Sequence, residues 1–195
     1  MTRSEEKKVL RRTMAALEQG LSPAYKERSA DKIARHLTAL PEFQEADTVF
    51  CYYGRTNEIN TRPILEAALA AGKRLCLPRC LGHGVMVPLQ VLDLDQLEER
   101  SLGLLEPPAD APVVATDAID FALIPCVTCN RSGHRLGWGG GYYDRFLSSY
   151  RGAAVLLCRE KLLRDEIPLE PHDYPIPWVL TEKGLYEDGT PARLG

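Results

Sequence analysis

No stretch of this 195-residue chain approaches the roughly 18 consecutive apolar residues that a membrane-spanning helix needs, so no membrane partner is expected. Nor is there an excess of basic charge. Lys and Arg number 24 against 27 Asp and Glu, for a net charge of −3 and a pI near 5.9. No global positive field recruits nucleic acid or an anionic membrane. The opening "MTRSEEKKVLRRTM" is charged throughout and lacks the apolar core of a secretory signal, which points to the cytoplasm. Repeats, low-complexity tracts and any convincing linker are also missing. With 45% apolar and 26% charged residues, the balance is that of a globular protein, and one domain over 1–195 is expected.

What is there alternates between helical and strand patterns. "SEEKKVLRRTMAAL" predicts a helix capped by Ser4, and "LSPAYKERSADKIARHLTAL" a second with Ser22 as N-cap and Pro23 at its first position. "DTVFCYYG" reads as a strand, "NTRPILEAALAAG" as a helix stopped by Gly72, and "KRLCLP" as the next strand. That order implies a parallel pair. "VMVPLQVL" predicts a strand and "DLDQLEERSLGLLEPP" irregular or helical structure. "IDFALIPC" and "GAAVLLC" are buried strands, and the proline-rich "IPLEPHDYPIPWVLTEKGLY" is a loop feeding a final strand. The fold class expected is α/β, with helices covering a mainly parallel sheet.

Six cysteines occur. "CLPRC" (Cys76, Cys80) and "CVTC" (Cys126, Cys129) have spacings that could close a tetrahedral zinc site. Against that, Cys76 alternates with Leu75 and Leu77, and Cys126 ends an apolar run, so buried core thiols are the better reading.

The least ordinary segment is "RLGWGGGYYDRFL", Arg135 to Leu147. It follows the "IDFALIPC" strand through a loop, at the strand end where open α/β sheets bind ligands, and leads into a helix. Gly137, Gly139, Gly140 and Gly141 permit close backbone approach, so successive N–H groups can form an anion nest beside a helix N-terminus. Arg135 and Arg145 add forked donors for phosphate, and Asp144 a hard oxygen for Mg²⁺. The string is neither a Walker A loop nor a dinucleotide fingerprint. No nucleophilic Ser or Cys arrangement accompanies it.

Arg-Leu-Gly-x-Gly-x-Gly-Tyr-Tyr-Asp is similar to the signature of the 5-formyltetrahydrofolate cyclo-ligases, also called methenyltetrahydrofolate synthetases. The resemblance continues in order along the chain, through "KKVLR", "VFCYYGRTNEINT", "LCLPR" and "PHDYPIPWVLTEKG". It implies a single-domain three-layer α/β sandwich with a mainly parallel sheet, similar to the sugar-phosphate isomerase and CoA-transferase group. It implies closure of 5-formyltetrahydrofolate to 5,10-methenyltetrahydrofolate at the expense of ATP, with Mg²⁺, by a protein acting as a monomer on small-molecule substrates.

Residue by residue, the resemblance implies ATP contacts from Lys7, Arg11, Arg135, Leu136, Gly137, Trp138, Gly139, Gly140, Gly141, Tyr142 and Tyr143. It implies substrate contacts from Tyr53, Glu58, Trp138, Gly139, Gly140, Gly141 and Tyr142. Asp144 and Asp173 match metal-associated carboxylates, Arg135 and Asp144 the catalytic pair; His172 has no firm role. Three positions depart from the pattern: Asn130 and Pro177 stand where aspartates are usual, and Gly140 where some members have lysine. A folate- or nucleotide-binding protein that has lost turnover is the alternative that Asn130 and Pro177 motivate.

Overall fold

The computed structural model describes residues 2–100, 103–171 and 173–192. His172 therefore lies outside the described residues. The order is α1 (Arg3–Gln19), α2 (Pro23–Thr38), α3 (Pro41–Glu45), β1 (Thr48–Phe50), α4 (Arg62–Ala70), β2 (Arg74–Gly82) and β3 (Val85–Val91). Next come β4 (Glu98–Glu99), β5 (Leu105–Glu106), β6 (Phe121–Pro125), β7 (Thr128–Cys129) and β8 (Arg135–Leu136). The last elements are α5 (Tyr142–Ser149), β9 (Ala153–Leu157), β10 (Trp178–Thr181), β11 (Gly184–Glu187) and β12 (Thr190–Pro191).

One sheet of eight strands runs β12-β11-β10-β9-β6-β1-β2-β3. Its five central strands, β10, β9, β6, β1 and β2, pair in parallel; β3 and the β11–β12 hairpin extend it antiparallel. The central strands are apolar on both sides because both sides are covered. Phe121, Leu123, Val49, Leu75 and Leu77 face one buried cluster with Ile33, Leu37, Ile64 and Leu65 of α2 and α4. Ala122, Ile124, Phe50, Cys76 and Leu156 face a second, with Met14 of α1 and Phe146 of α5. Each such Leu, Ile or Phe contributes about 1.5–3 kcal/mol by leaving water.

The helix signals hold with one correction. The first cap is Thr2, not Ser4: Thr2 Oγ1 accepts from the Glu5 N–H, and the Glu5 carboxylate accepts in return from the Thr2 N–H. That reciprocal box satisfies two donors at once, which a cap at Ser4 would leave open. Ser22 caps α2 as expected, accepting from the Tyr25 N–H. Past the end of α4, Gly72 takes the left-handed conformation at φ 75°.

Two sequence expectations were too coarse. The "VTCNRSGHRLG" segment, read as plain loop, contains the β7–β8 hairpin, and the final strand is the three-stranded β10–β12 meander. No helix among the described residues is long and apolar enough to cross a membrane.

Candidate active site

The parallel strands all deliver their carboxyl ends to one rim of the sheet, and the loops leaving β1 and β6 meet there. After β1, Thr61 closes the base of a tight loop: its hydroxyl donates to the Tyr52 carbonyl at 2.6 Å and accepts from the Gly54 N–H at 3.0 Å. Gly54 is obligatory in that fold, since a Cβ there would stand 1.9 Å from the Ile59 carbonyl oxygen. At the far side of this loop the Glu58 carboxylate turns back on the chain. Its Oε2 accepts from the Arg55 N–H at 2.9 Å, and its Oε1 accepts from the Trp138 indole N–H at 2.8 Å. The Arg55 guanidinium lies 4.4 Å over the Trp138 ring. Two loops 80 residues apart are thereby tied together.

After β6 the chain makes the β7–β8 hairpin, and Asn130 builds its turn. Asn130 Oδ1 accepts from the His134 N–H at 3.0 Å, while the Asn130 and His134 main chains bond to each other at 2.9 Å. Orienting this turn requires no charge, so asparagine suffices here. Pro177, the second departure, sits just before β10 with its carbonyl accepting from the Asp188 N–H. The hairpin delivers Arg135 and Leu136 buried, and then the glycine run. Gly139 (φ 95°) and Gly141 (φ 70°) take left-handed conformations, and Gly141 is the N-cap of α5 with no side chain satisfying the helix's first N–H groups. Those donors point out of the helix end, where an anion is favoured.

A cavity of about 330 Å³ fills the space between these loops and the β2–β3 hairpin. Tyr53, Glu58, Arg135, Trp138, Tyr142 and Asp144 line it, together with Gly137, Gly139, Gly140, Gly141 and Tyr143. Arg135, almost fully buried, donates from Nη2 to Asp144 Oδ1 at 2.5 Å, so the two charges offset each other at the cavity wall. Burial, with the Glu58 carboxylate nearby, pushes the Tyr52 and Tyr143 phenols well above their ordinary range, so both remain hydrogen-bond donors. Burial and a hydrogen bond to Glu106 push the Cys80 thiol up to about 12, leaving it protonated.

The two helix-borne cations separate. Arg11 reaches the glycine run, its Nε donating to the Gly137 carbonyl at 2.8 Å. Lys7 does not line the cavity; its ammonium holds Asp173 Oδ2 at 2.6 Å and Glu170 Oε2 at 2.7 Å. Burial works against its charge, but the hydrogen bonds to Asp173 and Glu170 outweigh burial and raise its pKa. Asp173 is likewise absent from the cavity wall, and also accepts from the Glu170 N–H at 2.8 Å.

Several contributors carry no motif. Arg159, 3% exposed, donates to the Glu58 carbonyl at 3.0 Å and to Ser29 Oγ at 3.2 Å, supporting the Glu58 loop from below. Arg55, Met86, Leu105 and Glu106 also line the cavity. Only the position of Arg159 just beyond the "GAAVLLC" strand could have drawn notice, since such strand ends feed the site.

A mainly parallel α/β sheet with a largely apolar cavity at its carboxyl rim, bordered by a glycine nest and a few converging polar groups, defines a small-molecule enzyme of the doubly covered α/β class. Residues 3–182 match the 5-formyltetrahydrofolate cyclo-ligase family, and the chain belongs to that family. It is 36% identical over 143 residues to the 5-formyltetrahydrofolate cyclo-ligase of Mycolicibacterium smegmatis, covering 70% of this chain and 74% of that one. To the Escherichia coli K12 cyclo-ligase it is 29% identical over 173 residues, covering 86% and 95%. The structure of Aquifex aeolicus 5,10-methenyltetrahydrofolate synthetase superposes with a TM-score of 0.84 at 28% identity, covering 97% of this chain and 96% of that chain.

Proposed function

We propose that residues 1–195 form a single cytoplasmic, monomeric domain that converts 5-formyltetrahydrofolate to 5,10-methenyltetrahydrofolate with consumption of ATP in the presence of Mg²⁺. The observation that carries this reading is the convergence of Glu58, Trp138, the glycine run, Arg135 and Asp144 on one cavity. We also read the architecture as akin to the sugar-phosphate isomerase and CoA-transferase group, with the layering of a three-layer sandwich.

The flat pterin would lie against Tyr53 and Trp138, with Glu58 accepting hydrogen bonds from its amino and ring N–H groups. The nucleotide phosphates would occupy the nest of Gly137 to Gly141 and the α5 N-terminus, with Arg11 and Arg135 as cationic donors. Tyr143 would shape the floor of that site and Tyr142 its mouth, whereas Leu136, 1% exposed and not in the cavity wall, would only support it from behind. The chemistry then runs on the substrate's own atoms: the formyl oxygen attacks the γ-phosphate, ADP leaves, the neighbouring folate nitrogen attacks the activated carbon, and phosphate departs. Such a path needs alignment and charge neutralisation more than a protein nucleophile.

Asp144 fits a hard cation: its carboxylate stands at the cavity wall, and oxygen donors suit Mg²⁺. Mg²⁺ there would neutralise phosphate charge, and Arg135 would turn from Asp144 toward phosphate as the cation arrived. Asp173 fits less directly, since Lys7 and the Glu170 N–H already hold its Oδ2. A metal or phosphate role for the Lys7–Asp173 pair requires Lys7 to exchange partners.

The test is near-ultraviolet absorbance of purified protein given 5-formyltetrahydrofolate and MgATP. Methenyl product should appear only with ATP and be lost in Asp144→Ala. Tight folate binding by folded wild-type protein with no product under any ATP condition would refute catalysis and leave a binding protein.

A further inference from the structure

The thiols do not group as the sequence spacing suggests. Cys76 and Cys80 lie apart from the others: Cys76 Sγ donates to the Val49 carbonyl within the sheet, and Cys80 sits at the large cavity beside Glu106. Instead Cys158, far away in sequence, joins Cys126 and Cys129, and the three sulfurs lie within 4.8 Å of one another. The topology explains the meeting. Strands β6 and β9 pair in parallel with Pro125 opposite Leu157, so Cys126 and Cys158 leave the two strand ends side by side. The β7–β8 hairpin then folds Cys129 over them, held by the Arg164 N–H donating to the Cys129 carbonyl at 3.0 Å.

We propose that Cys126, Cys129 and Cys158 form a binding site for one thiophilic d¹⁰ cation, Zn²⁺ or Cu⁺. Three sulfurs bound to zinc at about 2.3 Å stand about 3.8 Å apart, within about 1 Å of the present limit, a difference side-chain torsion can absorb. Soft thiolates select such ions over Mg²⁺ or Ca²⁺. A fourth position is available. Cys126 and Cys158 border a separate cavity of about 60 Å³, ample for a water, which needs roughly 10–15 Å³. Glu18 and Glu58 line the same cavity.

The surroundings suit a site of net negative charge. Arg135 is the cross-strand neighbour of Cys129 and buries its Nε without a hydrogen-bond partner; Arg159 follows Cys158 directly and is buried too. Three deprotonated thiols with Zn²⁺ carry one net negative charge; these guanidiniums reduce its cost while also facing Asp144 and Glu18. Binding would release up to three protons. The proposal is independent of the catalytic reading, since it uses no substrate and no turnover.

The experiment is an anaerobic titration of reduced full-length protein against a chromophoric chelator, with Zn²⁺ and Cu⁺ in separate arms and Co²⁺ as a spectroscopic probe. One tight equivalent per chain is expected. Affinity should fall at least tenfold in Cys129→Ser and in Cys158→Ser but hold in Cys76→Ser, whose thiol lies outside the cluster. Should the serine variants misfold, wild-type protein still decides: Co²⁺ should give thiolate-to-metal charge transfer, and bound metal should shield the partly exposed Cys126 thiol from alkylation while leaving Cys80 as reactive as before. No stoichiometric binding, binding indifferent to Cys129 and Cys158, or a Co²⁺ spectrum without charge transfer would overturn the proposal. So would protection of the thiols arising only from a peroxide-formed disulfide.

Discussion

Changing Glu58 to glutamine alters one atom of the side chain and breaks a specific arrangement of donors. The carboxylate is only 9% exposed and accepts from the Trp138 indole through one oxygen and from the Arg55 main chain through the other. A glutamine keeps one oxygen; its amide nitrogen must face either the indole N–H or the backbone N–H, donor against donor. One charge-assisted bond is lost, about 1.5–3 kcal/mol, and the other loses its charge. For a chain of 195 residues each kcal/mol moves the melting temperature by about 2–4 °C, so a drop of roughly 3–12 °C is expected. Trp138, 45% exposed, should also change its emission, best read with Trp178 replaced by Phe. Because the same contact fixes the wall proposed above to face the folate, KM for 5-formyltetrahydrofolate should rise about tenfold or more, with a smaller change in kcat. An unchanged melting temperature together with unchanged Trp138 emission would show that the two loops are not tied through Glu58. A changed emission with an unchanged KM would remove Glu58 from recognition while leaving its structural role.

Three further outcomes follow from the geometry. Gly84→Ala places a Cβ 2.7 Å from the Gly140 carbonyl oxygen and onto the Arg145 guanidinium, at φ 74°; kcat/KM should fall about tenfold through the displaced glycine run, measured with stability monitored in parallel. Gly133→Ala meets the Ile176 carbonyl oxygen at 1.7 Å and cannot relax, because both partners are backbone; urea unfolding should show a loss of about 3 kcal/mol or more, or no soluble protein. Glu160 is opposed by burial but held ionised by Arg131 at 2.8 Å and by Tyr186 and Thr181, so its folded pKa is depressed. Its contribution, on the order of 1–2 kcal/mol, is present above the unfolded carboxylate pKa and is lost as pH falls through the folded value. Urea midpoints between pH 6 and 3 should therefore converge for wild type and Glu160→Gln at the acid end.

The central strands were legible because burial on both faces left uninterrupted apolar runs such as "FALIP", and α2 because its cap and spacing agreed. The β7–β8 hairpin was hidden: its strands have two residues each, too few to show a period, and its turn is closed by the Asn130 side-chain oxygen, a contact local sequence does not announce. In the cavity wall, the residues of the glycine motif were recoverable because the motif is contiguous. The role of Arg55 was not, although it lies within the quoted "VFCYYGRTNEINT" segment, nor was that of Arg159 behind the wall, since both arise from where separate loops meet. Lys7 and Arg11 share one helix face in sequence, yet the fold commits one to carboxylates and the other to the glycine run. Buried thiols were the better reading of the cysteines, and four of the six are buried; their grouping was not legible, for a related reason. The partner that completes the cluster is set by strand register between β6 and β9, a relation no local spacing encodes.

The salt link from Lys7 to Asp173 spans 166 positions of chain. A ribosome making this protein releases the first helix long before the segment that receives it, at roughly 5–20 residues per second. For about 10 seconds or more that helix, with Met14 on its apolar face, has no complete docking surface. The same wiring places the burden on the amino terminus during laboratory production. A tag fused ahead of Thr2 would sit at the capping box, within two turns of Lys7.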